Sequence, residues 1–149
     1  MKEIKRVLIT PLDWGLGHAT RIIPIVRKLQ DKNIEVLLAT NGRPYELLKR
    51  EFPNLKVLRL SSYNIKYYAN SIILNVATQI FKFFRAVVME HRQVKKWVNE
   101  HEIDAIISDN RFGCYTAKTY NVFISHQLNL IVGVGLLEKW TNKFNHFYI

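Results

Sequence analysis

The stretch Thr10-Pro11-Leu12-Asp13-Trp14-Gly15-Leu16-Gly17-His18-Ala19-Thr20-Arg21 decides the fold. It follows a short apolar run, Val7-Leu8-Ile9, and precedes an apolar-periodic run from Ile22 to Leu29. That succession reads as strand, glycine loop, helix. Gly15 and Gly17 permit a tight turn and a close approach of backbone to a ligand. The helix that opens there aims its free N–H groups and the positive end of its dipole into the loop. His18 stands at the junction. A strand-to-helix turn needs small residues merely to turn, but Asp13, Trp14 and His18 are more chemistry than turning requires.

Outward from the loop, strands and helices alternate. Ile4 to Thr10 is the first strand, apolar on consecutive positions as a strand buried on both faces is. Ile22, Ile23, Val26 and Leu29, with Ile25 beside them, share one helical face, which predicts a helix from His18 to Gln30. Pro24 is expected near its first turn, where a missing N–H costs little. Ile34 to Thr40 is a second strand. Asn41-Gly42-Arg43-Pro44 opens a short helix through Glu51, and Leu55 to Leu60 is a third strand. A loop carrying Tyr63, Tyr67 and Tyr68 leads to a long helix from Ser71 to about His101. Ile103 to Ser108 is the fourth strand, followed by the polar loop Asp109-Asn110-Arg111-Phe112-Gly113. A short helix over Cys114 to Thr119, a fifth strand over Val122 to Ser125, a loop His126 to Asn129 and a helix from Leu136 to Phe147 complete the reading.

This alternation predicts an α/β, doubly wound, Rossmann-like parallel sheet with helices on both faces. Ligands of such sheets sit beyond the C-terminal strand ends. The loops after strands one, four and five all lie at that edge. In a 3-2-1-4-5 strand order, strand four lies beside strand one and their loops meet.

At 149 residues the chain is expected to be one domain. A single cysteine, Cys114, allows no internal disulfide and fits a reducing cytosol. The first apolar run ends at Thr10-Pro11, too short for a signal-peptide core. No apolar stretch approaches the roughly 20 residues of a membrane span. The net charge of +10 suits an anionic partner (nucleic acid, an anionic membrane or an anionic substrate), with a basic solvated surface as the alternative. An RNA-binding aromatic motif, zinc-finger spacing and a helix-turn-helix pattern are all missing, which argues against nucleic acid.

The loop fails two nucleotide motifs. G-x-x-x-x-G-K-[ST] is absent, so it is no P-loop. G-x-G-x-x-G is nearly met by Gly15-Leu16-Gly17-His18-Ala19-Thr20, but Thr20 replaces the third glycine. Thr40-Asn41 stands where an acidic ribose-binding residue would end strand two, against a dehydrogenase. His18 fits a different role. A helix N-terminus disfavours the imidazolium and leaves a neutral ring able to accept a proton. A carboxylate on the other ring nitrogen would orient it as a base. Asp109 is the best-placed acid, with a helix cap or a turn residue as the competing reading.

The loop Asp13-Trp14-Gly15-Leu16-Gly17-His18-Ala19-Thr20-Arg21 resembles the N-terminal glycine loop of GT-B glycosyltransferases, in particular the lipid-II-forming N-acetylglucosaminyltransferase family with its G-G-T-G-G-H. It resembles more closely a group of bacterial glycosyltransferase-like proteins with the same loop. Ser125-His126-Gln127-Leu128-Asn129 looks like that family's H-E-Q-N, with Gln127 in place of its glutamate, and Lys139-Trp140-Thr141-Asn142-Lys143 echoes its following helix. Asp13-Trp14 replace its glycine and threonine. The pairing of His18 with Asp109 resembles the histidine–aspartate pair of plant and macrolide GT-B transferases, where histidine deprotonates the acceptor hydroxyl.

The resemblance implies a transferase of the bacterial cell envelope that uses a nucleotide-sugar and an acceptor, which in that family is lipid-linked. It implies that residues 1–149 are the N-terminal, acceptor-binding half of a GT-B fold. The donor-binding second domain would then lie outside this chain, and the chain alone would be inactive. His18 is the expected base and Asp109 its orienter. Asp13, Trp14, Gly15, Gly17, Thr20, Arg21, Arg111, His126, Gln127 and Asn129 are the expected substrate contacts. No metal or other cofactor is expected, because helix ends can stabilise a leaving diphosphate and no metal-ligand spacing is visible. Two rivals stay open: a sugar-nucleotide epimerase of GT-B architecture, and a non-catalytic membrane-recruiting subunit of a split glycosyltransferase.

The long helix adds an independent expectation. Ile73, Ala77, Ile80, Phe84, Val87, Val94 and Val98 share one face, the expected core stripe. Leu74, Phe81 and Val88 form a second apolar line, flanked by Lys82, Arg85, Arg92 and Lys96. Such a line suits an interfacial helix on anionic lipid, and packing against another helix or the second domain is the alternative. Together with the resemblance it implies a cytoplasmic protein, peripheral on the inner face of the cell membrane.

Overall fold

The computed structural model describes residues 3–62 and 72–125, with side chains for 3–62 and 81–125. The elements run β1 (Arg6–Pro11), α1 (Leu16–Gln30), β2 (Glu35–Thr40), α2 (Gly42–Glu51), β3 (Val57–Arg59), α3 (Ile72–Glu100), β4 (Ala105–Asp109) and β5 (Tyr120–Ile124). They form one five-stranded sheet, order β3-β2-β1-β4-β5, with every neighbouring pair parallel. The expected strand order is therefore present.

Side chains along β1 alternate between two cores, as a period-two strand must. Val7 and Ile9 join Val36 and Leu38 of β2, Ala19, Ile22 and Val26 of α1, and Leu48 of α2. Leu8 joins Leu37, Ala39, Ile106 and, from α3, Val94 and Val98. Helices α1 and α2 thus cover one face and α3 the other, the doubly wound arrangement. The segment after α1 turns through Asn33 in the left-handed region (φ 57°), a conformation asparagine tolerates.

Three expectations change. Helix α1 begins at Leu16 rather than His18, so His18 sits in its first turn and Pro24 lies inside the helix, not near its start. The carbonyl of Thr20 therefore lacks the usual N–H of residue 24. Cys114 to Thr119 is a set of turns and not a helix. There Asn121 Nδ2 donates to the Thr116 carbonyl at 2.8 Å, and the Lys118 N–H donates to Thr116 Oγ1 at 3.1 Å. Such local side-chain bonds offer the backbone an alternative to the helix ladder. Lastly, Phe84 is not on the core stripe. Val94 and Val98 turn inward as expected, joined by Ala86 and Glu90, whereas Phe84 is 57% exposed. The expected tyrosine loop, the loop His126 to Asn129, the last helix over Leu136 to Phe147 and the side chain of Leu74 lie outside the described residues.

Candidate active site

The site is assembled where β1 and β4 end side by side. Pro11 is in register with Asp109, and the Leu12 N–H donates to the Asp109 carbonyl at 3.1 Å. This pairing fixes the Asp109 backbone against the start of the glycine loop. The next residue, Asn110, adopts φ 56°, and its N–H donates to the Ile124 carbonyl. A residue type that tolerates the left-handed region thus ends the strand immediately beyond the carboxylate.

Asp109 is fully buried, and its Oδ2 lies 2.9 Å from His18 Nδ1. The His18 side chain keeps 13% exposure. Arg21, one helical turn after His18, brings Nη1 to 3.6 Å from the other Asp109 oxygen. The carboxylate thus stands between an imidazole and a guanidinium, both presented by the first two turns of α1. In the tautomer that carries its proton on Nδ1, His18 donates to Asp109 and Nε2 carries the ring's lone pair. The Asp109 side chain therefore contacts His18 and Arg21, and neither caps a helix nor makes a turn.

Arg111 is not at the surface. Its side chain is fully buried, together with that of Glu90 on α3. Nε donates to the Pro11 carbonyl at 2.9 Å, and Nη1 donates to the Ser61 carbonyl at 3.0 Å and to Glu90. Nη2 lies 3.2 Å from Oδ1 of Asp13, itself only 4% exposed. Arg111 and Asp13 were both expected to touch substrate. They are instead held beneath the loop, where the one buried guanidinium pairs with two buried carboxylates. Asp13 thereby ties the glycine loop to the loop after β4, and Glu90 ties both to α3.

Gly113 seals the same junction. A Cβ on it would lie 2.3 Å from the Val87 carbonyl oxygen and 2.7 Å from Glu90 Cβ, so only glycine lets this loop meet α3. Burial pushes the neighbouring Cys114 thiol up to about 12, with the Glu90 charge adding to the effect.

The remaining expected contacts fall in three groups. Trp14 is 62% exposed and Leu16 is exposed beside it. Gly15 and Gly17 have open space where a Cβ would stand, and neither takes a positive φ; among the described residues Gly42 (φ 58°) is the glycine that does. Thr20 Oγ1 donates to the Gly17 carbonyl at 3.0 Å, which braces the first turn. His126, Gln127 and Asn129 lie outside the described residues. On α3, Phe81 (71% exposed), Val88, Lys82, Arg85 and Arg92 all face outward, joined by Phe84 and Met89. Among the described residues, no group of three or more His, Cys, Asp or Glu side chains is placed to hold a metal ion. Nor is any described helix long and apolar enough to cross a membrane.

Two features escape the sequence reading. Glu90 opens the polar run Glu90-His91-Arg92-Gln93 of α3, where only burial reveals it. The cleft beside α2 brings together Arg43 and Arg50 of α2 and Arg59 at the end of β3.

No protein-family model and no curated protein matches the chain. Solved structures do. CalG4, the calicheamicin glycosyltransferase, superposes with a TM-score of 0.66 at 13% identity, over 96% of this chain and 38% of its own. SnogD, a glycosyltransferase from Streptomyces nogalater, gives 0.59 at 14% identity, over 98% of this chain and 41% of its own. MurG of Acinetobacter baumannii gives 0.55 at 14% identity, over 92% of this chain and 39% of its own. The chain has the α/β Rossmann-like fold found in GT-B glycosyltransferases, and it spans about two fifths of their length.

Proposed function

We propose that this chain is the acceptor-side half of an inverting glycosyltransferase that moves a sugar from a nucleotide-sugar to an acceptor hydroxyl. The observation that carries the reading is the His18 Nδ1 to Asp109 Oδ2 contact of 2.9 Å, at the C-terminal sheet edge, on a fully buried carboxylate.

In this mechanism the acceptor hydroxyl donates to His18 Nε2. As its oxygen attacks the anomeric carbon, the proton passes to Nε2 and the bond from that carbon to the diphosphate oxygen breaks. Asp109 holds the ring in the productive tautomer and stabilises the imidazolium that forms. Arg21 Nη1 stands 3.6 Å from the second carboxylate oxygen and adds its charge to that side of the pair. Trp14, Gly15, Gly17 and Thr20 form the wall over which the acceptor lies, with His126, Gln127 and Asn129 as further contacts. The nucleotide-sugar is held by a second, donor-binding Rossmann-like unit, a reading supported by the two-fifths length match. No metal or other cofactor takes part, and the chain alone does not turn over.

The acceptor is lipid-linked in this proposal, and the chain docks peripherally on the inner face of the cell membrane. Support comes from the outward face of α3, where exposed Phe81, Phe84 and Val88 run beside Lys82, Arg85 and Arg92. Apolar anchors flanked by cations suit anionic lipid.

The test joins the chain to a donor-binding unit and offers a panel of nucleotide-sugars with a cell-envelope lipid extract. Nucleoside diphosphate release, with a product heavier by one sugar in mass spectrometry, is the expected result. Absence of release across the panel would sink the proposal.

A further inference from the structure

A cleft of about 560 Å³ lies beside α2 and takes no part in the His18–Asp109 pair. Its size is within the range of about 300–1,000 Å³ typical of small-molecule sites. Leu16 forms one side; Gly42, Arg43, Glu46, Leu47 and Arg50 of α2 and Arg59 at the end of β3 form the rest. Arg43, Glu46 and Arg50 follow one another at helical spacings of three and four, so they line one face of α2.

The charges in this cleft do not cancel. Arg59 pairs with Glu46 at 3.4 Å and lies 4.0 Å over the Tyr45 ring, so it is held in place. Arg43 and Arg50 have no carboxylate or hydrogen-bond partner among the described residues. Two other arginines do find carboxylates: Arg6 of β1 pairs with Glu35, and Arg27 of α1 with Glu51 of α2. Three guanidiniums and one carboxylate leave the cleft at plus two. A single carboxylate ligand would not neutralise that. A phosphate monoester or a diphosphate, at about two negative charges near neutral pH, would. Arginine is also the side chain whose planar fork matches phosphate oxygens in pairs.

We propose that this cleft binds the phosphate or diphosphate group of the acceptor, read by Arg43, Arg50 and Arg59. Glu46 and Tyr45 fix Arg59, while Arg43 and Arg50 remain available to the ligand. Leu16 connects the cleft to the catalytic pair, since it shares the first turn of α1 with His18. An acceptor anchored by its phosphate would run past Leu16 and present its hydroxyl to His18. The inference rests on the acceptor-side reading of the chain and gives that acceptor a chemical class.

The test titrates inorganic pyrophosphate into the isotope-labelled chain and follows the backbone amides and arginine Nε–H signals by NMR. Saturable shifts at Gly42, Arg43, Arg50 and Arg59 are expected. The variant Arg43→Gln/Arg50→Gln changes two exposed side chains, and its amide spectrum should otherwise match the wild type. It should bind pyrophosphate at least about tenfold more weakly, since hydrogen bonds to charged groups are lost. Geranyl diphosphate in a second arm separates the sources: tighter binding than pyrophosphate assigns a lipid-borne phosphate, equal binding a soluble one, and both support the cleft. Shifts confined to residues 15–20, or unchanged binding in the double variant, would overturn the inference. That outcome would leave the catalytic reading standing, because His18 and Asp109 variants test it separately.

Discussion

Removing the Arg111 side chain should strand two acids in the interior. Arg111 and Glu90 have no exposed side-chain surface, and Asp13 has 4%. In Arg111→Met both carboxylates lose their cation. Breaking a buried pair in this way costs about 3–5 kcal/mol. The Ser61 carbonyl also loses its donor, about 1 kcal/mol more, while the Pro11 carbonyl keeps the Thr40 hydroxyl at 2.9 Å. A loss of about 4–6 kcal/mol is expected against a total of about 5–15 kcal/mol for a domain of this kind. Equilibrium urea unfolding at neutral pH reads it. Two controls identify the cause. Arg111→Met/Glu90→Leu should recover at least half of the loss, since an apolar replacement of a buried ion pair is often neutral or stabilising. The gap between Arg111→Met and the wild type should also narrow on acidification. A buried Glu90 without the Arg111 guanidinium should take up a proton in the folded variant more readily than when unfolded, so falling pH favours that folded state. A loss below about 1 kcal/mol, or a double variant no better than the single, would refute the assignment of Arg111 as the centre of a buried charge cluster.

Further consequences concern the same junction and the outer face. Gly113→Ala places a Cβ 2.3 Å from the Val87 carbonyl, so α3 or the loop must shift. A loss of about 1–3 kcal/mol in thermal or urea unfolding is expected, and an unchanged midpoint would show that the loop does not press on α3. Cys114 titrates near 12 when folded against the usual 9.0. Its contribution to stability is complete below pH 9 and lost as pH rises toward 12, by roughly tenfold in the folding equilibrium per pH unit; Cys114→Ala should remove that slope. The folded thiol should also resist iodoacetamide at pH 8, read by mass spectrometry. On α3, Phe81→Ser/Val88→Ser should weaken sedimentation with vesicles of phosphatidylcholine and phosphatidylglycerol at low salt. Reversing Lys82, Arg85 and Arg92 to glutamate should abolish it, since each cation near an anionic surface contributes about 1 kcal/mol. Equal sedimentation of all three proteins would remove the membrane reading.

The sheet was legible because its strands are short apolar runs separated by helical periodicity, and the crossover rule then fixes their neighbours. The same order brought Asp109 to the mouth of the glycine loop, and His18 was recognisable as the ionisable side chain opening α1. What could not be read is how charge is distributed in depth. Arg111 looked like a loop cation ready for an anion, yet it is fully buried, because its partners lie at Asp13 and Glu90, far apart in sequence. Glu90 itself stands in a run of polar residues whose periodicity gives no hint that one faces inward. Phe84 was misplaced for a related reason: α3 carries apolar residues on more than one line, and periodicity alone does not say which line meets the sheet. The turns over 114–119 turned on side-chain bonds between Thr116 and Asn121, which a propensity reading does not weigh.

The claim that sugar transfer runs through His18 is tested most directly by the turnover rate of the chain joined to a donor-binding unit, comparing wild type with His18→Asn and Asp109→Asn. Loss of the base should lower kcat by about 10²–10⁴ with the acceptor KM little changed. Asp109→Asn should also lower kcat strongly, because an amide no longer selects the Nδ1–H tautomer or stabilises the imidazolium. Turnover in His18→Asn within a few-fold of wild type would contradict the account, whatever the cleft beside α2 proves to bind.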